Sequence, residues 1–287
     1  VTGVDSAAKA SLLGDVIGDK VAADVDTVAE VQTLANAVSA VMTAAAATTP
    51  TGPTLAQLQA LGMTGVTADN LAAVQKAIAG TADDGTGADT VAELQALVNG
   101  VNSAVSSISS AAQANNATAT TPSTGTYATA GVTGVTSGNL AAVNDALNSS
   151  AVIGTSVDTP AEIQALVNSY NAILAEANGS ATDATPTTDP TAADYSNIGV
   201  TGVDSAAKAS LLGDVIGDKV AADVDTVAEV QTLANAVSAV MSAAAATTPT
   251  GPTLAQLQAL GMTGVTADNL AAVQKAIAGT ADDGTGA

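Results

Sequence analysis

Carboxylates are the only side chains in this chain that could carry metal or acid–base chemistry. The 287 residues include no Cys and no His, so no thiolate or imidazole is present to act as a nucleophile, general base or metal ligand. The densest acidic loop reads Asp83-Asp84-Gly-Thr-Gly-Ala-Asp89. Calcium prefers several oxygen ligands, and this loop offers three carboxylates without the twelve-residue EF-hand pattern. Asp83, Asp84 and Asp89 are therefore the calcium candidates, and we expect no other cofactor.

A second interpretation of Asp89 needs no metal. The aligned stretch 149–158 keeps only its last acid, Asp158. In every copy this Asp comes directly before a Thr that begins a helix, where a negative charge is stabilised by the helix dipole. Helix-end electrostatics therefore competes with calcium binding as the reason for Asp89.

Glutamates recur in a motif, Asp-Thr-x-Ala-Glu, that explains them without catalysis. A Thr followed three residues later by a Glu is a capping box, in which each side chain bonds a backbone N–H of the other residue. None of these glutamates has a plausible catalytic partner acid nearby, so we expect no enzyme. The predicted capping pairs are Thr27 with Glu30, Thr90 with Glu93, Thr159 with Glu162, and Thr226 with Glu229.

The elements that position these residues are repeated along the chain. Residues 1–88 recur as residues 200–287, and the only difference is Thr43 against Ser242. A Thr-Gly-Val turn lies at the start of each of five segments, and the first three make up the 199-residue period. The predicted segments are 1–62, 63–131, 132–199, 200–261 and the partial segment 262–287. An array of this kind supplies length and many equivalent surfaces rather than one catalytic centre.

Each segment is expected to contain three helices. The second helix follows the capping box, and its apolar residues recur at helical spacing. In the first segment these residues are Val28, Val31, Leu34, Ala35, Val38, Val41 and Met42. A short third helix begins after a Pro-Thr pair and ends at a Gly, as in residues 53–62. The fold class predicted is all-α, as a tandem array of stacked three-helix units of about 62–69 residues.

The composition suggests why such units would stack. A domain of about 65 residues buries only about 60% of its unfolded surface and is marginal alone. Aromatic residues are limited to Tyr127, Tyr170 and Tyr195, which we expect to pack in or between the units. Small aliphatic side chains bury little area each, so neighbouring units are expected to share apolar faces.

The charge excludes some partners. The formal net charge is −21, so phosphate backbones and anionic membranes should repel the chain. No apolar run reaches the 18 or more residues of a membrane span. The sequence starts at Val1, without an initiator Met and without a stretch that looks like a signal peptide. We therefore expect a segment of a longer chain that binds neither nucleic acid nor membrane. Its expected partners are neighbouring repeats and other copies of itself.

Several motifs together resemble a known class of repeats. They are Thr-Gly-Val-Thr-x-x-Asn-Leu-Ala-Ala-Val, Asp-Thr-x-Ala-Glu-Ile-Gln-Ala-Leu-Val-Asn, Tyr-Asn-Ala-Ile-Leu-Ala-Glu-Ala-Asn-Gly and Pro-Thr-Ala-Ala-Asp-Tyr, and they are clearest in residues 132–199. The chain resembles helical tandem repeats of giant secreted surface proteins of Gram-negative bacteria, which are adhesin-like or biofilm-associated. The resemblance implies an extracellular or cell-surface stalk or fibre and no catalytic residues. The alternative within that class is a ligand- or calcium-binding adhesive module.

The first segment departs from this pattern. It replaces the Thr-x-x-Asn-Leu start with Asp5-Ser-Ala-Ala-Lys-Ala-Ser-Leu-Leu13. Its first helix is therefore expected to pack differently from those of the second and third segments.

Overall fold

The computed structural model describes residues 1–47, 52–82, 84–114, 121–179, 189–246 and 251–280. Thirteen α-helices and three short 3-10 turns form within these ranges, and no strand does. An isolated antiparallel bridge joins Asn178 to Val220. The prediction of an all-α fold is confirmed.

Each long helix along the chain has a shorter helix before it and another after it. They are α1 (Ala7–Gly18), α2 (Val28–Ala45), α3 (Leu55–Ala60), α4 (Leu71–Ala79), α5 (Val91–Ala114), α6 (Thr124–Thr129), α7 (Leu140–Leu147), α8 (Pro160–Glu176), α9 (Ala192–Asn197), α10 (Ala206–Gly217), α11 (Val227–Ala244), α12 (Leu254–Ala259) and α13 (Leu270–Ile277). The 3-10 turns are Ala22–Asp24, Gly154–Ser156 and Ala221–Asp223, and the sequence did not predict them.

The chain divides into two compact units. Unit 1 comprises residues 1–110, 122–133 and 155–163, and unit 2 comprises residues 111–121, 134–154 and 164–287. Three of the α-helices lie within each of the ranges 1–62, 63–131, 132–199 and 200–261. Neither compact unit coincides with one of these ranges, so the division into four stacked units stays a prediction. The word segment is used below for the predicted sequence ranges.

A long helix is the centre of packing in each unit. In unit 1, α2 contacts α1, α3 and α4, while in unit 2, α11 contacts α7, α10, α12 and α13. The faces in contact are rich in small side chains, and Ala35, Ala37 and Val38 of α2 are fully buried. Tyr127, Tyr170 and Tyr195 are also buried, as expected. Burial raises the pKa of all three phenols above the ordinary value.

Val28 departs from the predicted apolar stripe of the second helix. Leu34, Ala35 and Val41 are buried as the helical period predicts, but the Val28 side chain is 73% exposed. It lies in the first turn of α2, one residue after the capping Thr27. No other part of unit 1 covers this turn among the described residues.

Helix α4 begins only after a turn that Thr67 and Asn70 hold together. Thr67 and Asn70 bond reciprocally, with Thr67 N–H donating to Asn70 Oδ1 at 2.8 Å and Asn70 N–H donating to Thr67 Oγ1 at 3.4 Å. Residues 68–70 form a turn, and α4 begins at Leu71. In the first segment α1 begins at Ala7 after the N-cap Ser6 and is three residues longer than α4. That this helix also packs differently stays a prediction.

A glycine ends each third helix in a Schellman motif. After α6, Val132 N–H donates to Tyr127 O at 3.0 Å and Gly131 N–H donates to Ala128 O at 3.1 Å. Gly131 has φ of +85°, a left-handed conformation that suits glycine far better than other residues. The same bonds and a φ of +87° occur at Gly62. This turn redirects the chain into the next Thr-Gly-Val motif.

Within the described residues, no helix combines the length and the apolar character needed to cross a bilayer.

Alanine substitutions at two of these glycines should separate backbone strain from crowding. A Cβ at Gly62 would have no heavy atom within 4 Å, whereas one at Gly131 would lie 2.6 Å from Ala73 Cβ. We expect Gly62→Ala to reduce the free energy of unfolding by about 1–2 kcal/mol through the left-handed conformation. Gly131→Ala should cost about 1–3 kcal/mol more because the packed helix α4 must shift. Urea denaturation of the two variants measures the difference, and equal losses would contradict this assignment.

Candidate functional site

The predicted capping residues lie at the first turns of the long helices. Glu30 N–H donates to Thr27 Oγ1 at 3.3 Å, and Thr27 N–H donates to Glu30 Oε2 at 2.9 Å. The hydrogen bonds from Thr27 lower the pKa of Glu30. The carboxylate is thus held ionised at the positive end of the helix and is engaged in capping.

Equivalent bonds occur at the other three capping pairs. Glu93 N–H, Glu162 N–H and Glu229 N–H each donate to the hydroxyl of the Thr three residues earlier, at 3.2, 3.3 and 3.3 Å. The threonine hydroxyls in turn donate to the glutamate carboxylates, at 2.9, 2.9 and 2.7 Å for Thr90, Thr159 and Thr226. All four glutamates therefore act structurally at helix starts.

The acidic loop is only partly described. Asp84 Oδ1 accepts the N–H of Thr86 at 3.0 Å and its hydroxyl at 2.8 Å, and these bonds lower the pKa of Asp84. Loss of solvent and the neighbouring Glu93 raise the pKa of Asp89. No group of three acids that could hold a metal ion lies together in the described part of the chain. Asp83 lies outside the described residues, so the calcium site stays a prediction.

A glutamine on the second helix clamps the Thr-Gly-Val turn of its own segment. Thr64 N–H donates to Gln95 Oε1 at 2.9 Å, and Gln95 Nε2 donates back to Thr64 O at 3.0 Å. Gln32 and Gln231 make the same paired bonds to Thr2 and Thr201. The glutamine amide therefore bonds both the N–H and the C=O of the threonine in this turn. It fixes the start of the segment against the long helix.

Two asparagines hold the next carbonyl of the same turn. Gly65 O accepts from Asn70 Nδ2 at 2.8 Å and from Asn102 Nδ2 at 3.0 Å, and the two side chains bond each other at 2.7 Å. Asn139 and Asn171 form the same network around Gly134 O. Asn70 is only 7% exposed, so these bonds meet the hydrogen-bonding needs of a buried amide.

A carboxylate joins one segment to the next. In unit 2, Val227 N–H donates to Asp145 Oδ2 at 2.6 Å, and in unit 1, Val91 N–H donates to Asp15 Oδ2 at 2.7 Å. Both valines are the first residue of a long helix, and both aspartates lie on the first helix of the preceding segment. The first N–H groups of a helix have no partner within the helix. An ionised acceptor supplied by the neighbour therefore makes a strong and directional contact.

The second segment carries a lysine in place of this aspartate. Lys76 stands six residues after Asn70, at the position that Asp145 holds after Asn139. The first residue of the following long helix is Pro160, which has no N–H to donate. Lys76 Nζ instead donates to Gly131 O at 3.1 Å. Lysine thus occurs where the helix that follows needs no acceptor.

The start of α8 borders a groove in unit 1. Asp69, Asn102, Asp158 and Pro160 are among the residues that line this groove of about 460 Å³. Loss of solvent, then Glu162 and Asp69, raise the pKa of Asp158. The two acids in the groove, Asp69 and Asp158, therefore repel each other. Among the described residues that line the groove, none is basic.

Sequence reasoning found the capping pairs but missed the joining residues. Asp15 and Asp145 lie 76 and 82 residues from their partners, and nothing local marks them. Lys76 stands at the position equivalent to Asp145, and Pro160 at the position equivalent to Val227. This joint change of residue type is a signal that the repeats make visible. The paired Gln and Asn residues were also visible, because they recur at the same place in several segments.

Comparisons with family models, with curated protein sequences and with solved structures find no match to this chain. The function must therefore be argued from the contacts themselves.

Proline substitutions at two copies of one residue should test the joining contact. Pro is tolerated at the first position of a helix, as Pro160 illustrates, so Val227→Pro removes mainly the N–H that Asp145 accepts. We expect a loss of about 1.5–3 kcal/mol in the free energy of unfolding, the range for a hydrogen bond to a charged group. The matched control is Val28→Pro, because Val28 N–H has no acceptor among the described residues. Urea denaturation should show little change for the control, and equal losses in both variants would argue against the contact.

Proposed function

We propose that this chain is a non-enzymatic structural segment whose repeats build an extracellular fibre, filament or stalk. The observation that carries the proposal is the recurring carboxylate contact between successive segments, Asp15 with Val91 and Asp145 with Val227. The contact joins the first segment to the second and the third to the fourth, and a contact that recurs in this way can extend an array. The duplication of residues 1–88 as residues 200–287 supports the same conclusion.

The polar residues of the described chain also favour a structural role. The four glutamates that a catalytic hypothesis would use are engaged in capping boxes. The Gln and Asn side chains of the long helices are bonded to the Thr-Gly-Val turns. These groups hold helices together. We therefore place the function on the surfaces between repeats.

The proposed setting is the outside of a bacterial cell. It rests on the resemblance to repeats of secreted, adhesin-like or biofilm-associated proteins, and a net charge of −21 suits a chain that must stay soluble while 47% of its residues are hydrophobic. Neighbouring repeats, and other copies of the chain, are the proposed partners.

Electron microscopy of the purified chain, together with light scattering over a range of concentrations, tests this function. Uniform filaments that lengthen with concentration are expected. Stacked units of about 65 residues should give an axial repeat of roughly 70–90 Å per 199-residue period. Particles that stay monomeric at every concentration would contradict self-association. Heat released on calorimetric titration with calcium would instead favour the adhesive calcium-binding module.

A further inference from the structure

One sequence occurs twice in this chain, in two different surroundings. Val28 and Val227 occupy the same place in copies that differ only at Thr43 and Ser242. The Val28 side chain is 73% exposed, whereas that of Val227 is 9% exposed. Because the two sequences agree, the difference reports what lies against each copy.

The same change extends over a continuous patch. Ile17, Val25 and Val31 are half-buried, and their counterparts Ile216, Val224 and Val230 are fully buried. We call this patch of the first copy the head face. It consists of Gly14, Ile17, Gly18, Val25, Val28 and Val31.

In unit 2, the corresponding patch is covered by the segment that precedes it. Asp145 accepts the N–H of Val227 at 2.6 Å, and the hydroxyl of Tyr170 donates to Val224 O at 3.2 Å. Gly179 N–H donates to Lys219 O at 2.8 Å. The covering groups therefore come from two helices and a loop of the third segment.

Two glycines show that the fit is close. A Cβ at Gly213 would lie 3.1 Å from Asp189 Cγ, and one at Gly217 would lie 3.2 Å from Glu176 Oε1. Their counterparts Gly14 and Gly18 have no heavy atom within 4 Å of the same position. The head face thus keeps the room that the two acidic side chains occupy in the second copy.

We propose that the head face is the docking surface for a further segment with the sequence of residues 132–199. The proposal rests on the repeat-array function above and names the partner that fits this face. In the docked state, the Asp145 of the added segment accepts the N–H of Val28. Its Tyr170 donates to the carbonyl of Val25, as the equivalent pair does in unit 2.

The head face selects this segment over one with the sequence of residues 63–131. That segment carries Lys76 at the position of Asp145, and a lysine has no lone pair to accept the Val28 N–H. In the chain, Lys76 precedes a helix that begins with Pro160, where no N–H needs an acceptor. The acceptor and the first helical residue therefore decide between these two segments.

The test keeps the full chain and adds a second copy of residues 132–199 ahead of Val1. Nuclear magnetic resonance with isotopic labelling confined to residues 1–88 follows hydrogen exchange at the Val28 amide. We expect exchange to slow about tenfold or more, as a charge-assisted hydrogen bond predicts. One control carries residues 63–131 as the extension, and a second carries Asp145→Lys in the added copy only. Both controls should leave the Val28 amide exchanging as it does in the unextended chain.

The proposal is overturned if Val28 exchanges equally fast with and without the extension, or if the extension 63–131 protects it as well. An added segment that stays unfolded by circular dichroism also overturns it, because docking should fold the segment as it does within the chain. A failure of the proposed fibre function gives a different result: no filaments form, although the Val28 amide is protected in the extended chain.

Discussion

The structure depends on burying small aliphatic side chains against the next segment. Ala and Val each remove little surface from water, at roughly 25 cal/mol per Å² of apolar area. A three-helix segment built mainly from them gains little by folding alone. Val31 and Val230 show the consequence, because the same residue is half-buried in one copy and fully buried in the other. We therefore expect each segment's stability to depend on its neighbour.

Hydrogen bonds decide how these faces meet. Apolar contact has no direction, and stacks of small residues could slide past one another. The Gln95 clamp on Thr64 and the Asn102 bond to Gly65 fix each turn against its long helix. The Asp145 carboxylate then fixes the next long helix by its first N–H. The polar contacts supply the register that apolar contact alone lacks.

Local chemistry explains which features the sequence could predict. A capping box needs only Thr27 and Glu30, three residues apart, and a Schellman turn needs only Gly62 with the helix before it, so both could be read from neighbouring letters. The 3-10 turn Ala22–Asp24 carries no such signal. The exposure of Val28 could not be predicted from its sequence at all, because Val227 has the same local sequence and is buried.

The joining contacts lie beyond local patterns for a different reason. Asp145 and Val227 are 82 residues apart, and a single chain gives no pairwise signal over that distance. The internal repeats partly replace such a signal, since Lys76 and Pro160 change together. The role of the acidic loop cannot be judged in the same way, because Asp83 lies outside the described residues.

Residue-specific hydrogen exchange in the natural chain is the most direct test of whether one segment holds the next. Val28 and Val227 must be distinguished by labelling one copy at a time, because most peptides from the two copies are identical in mass. We expect the Val227 amide to exchange about tenfold or more slowly than the Val28 amide, because the Asp145 carboxylate binds the Val227 amide. Equal exchange rates at the two positions would contradict the claim that one segment holds the next.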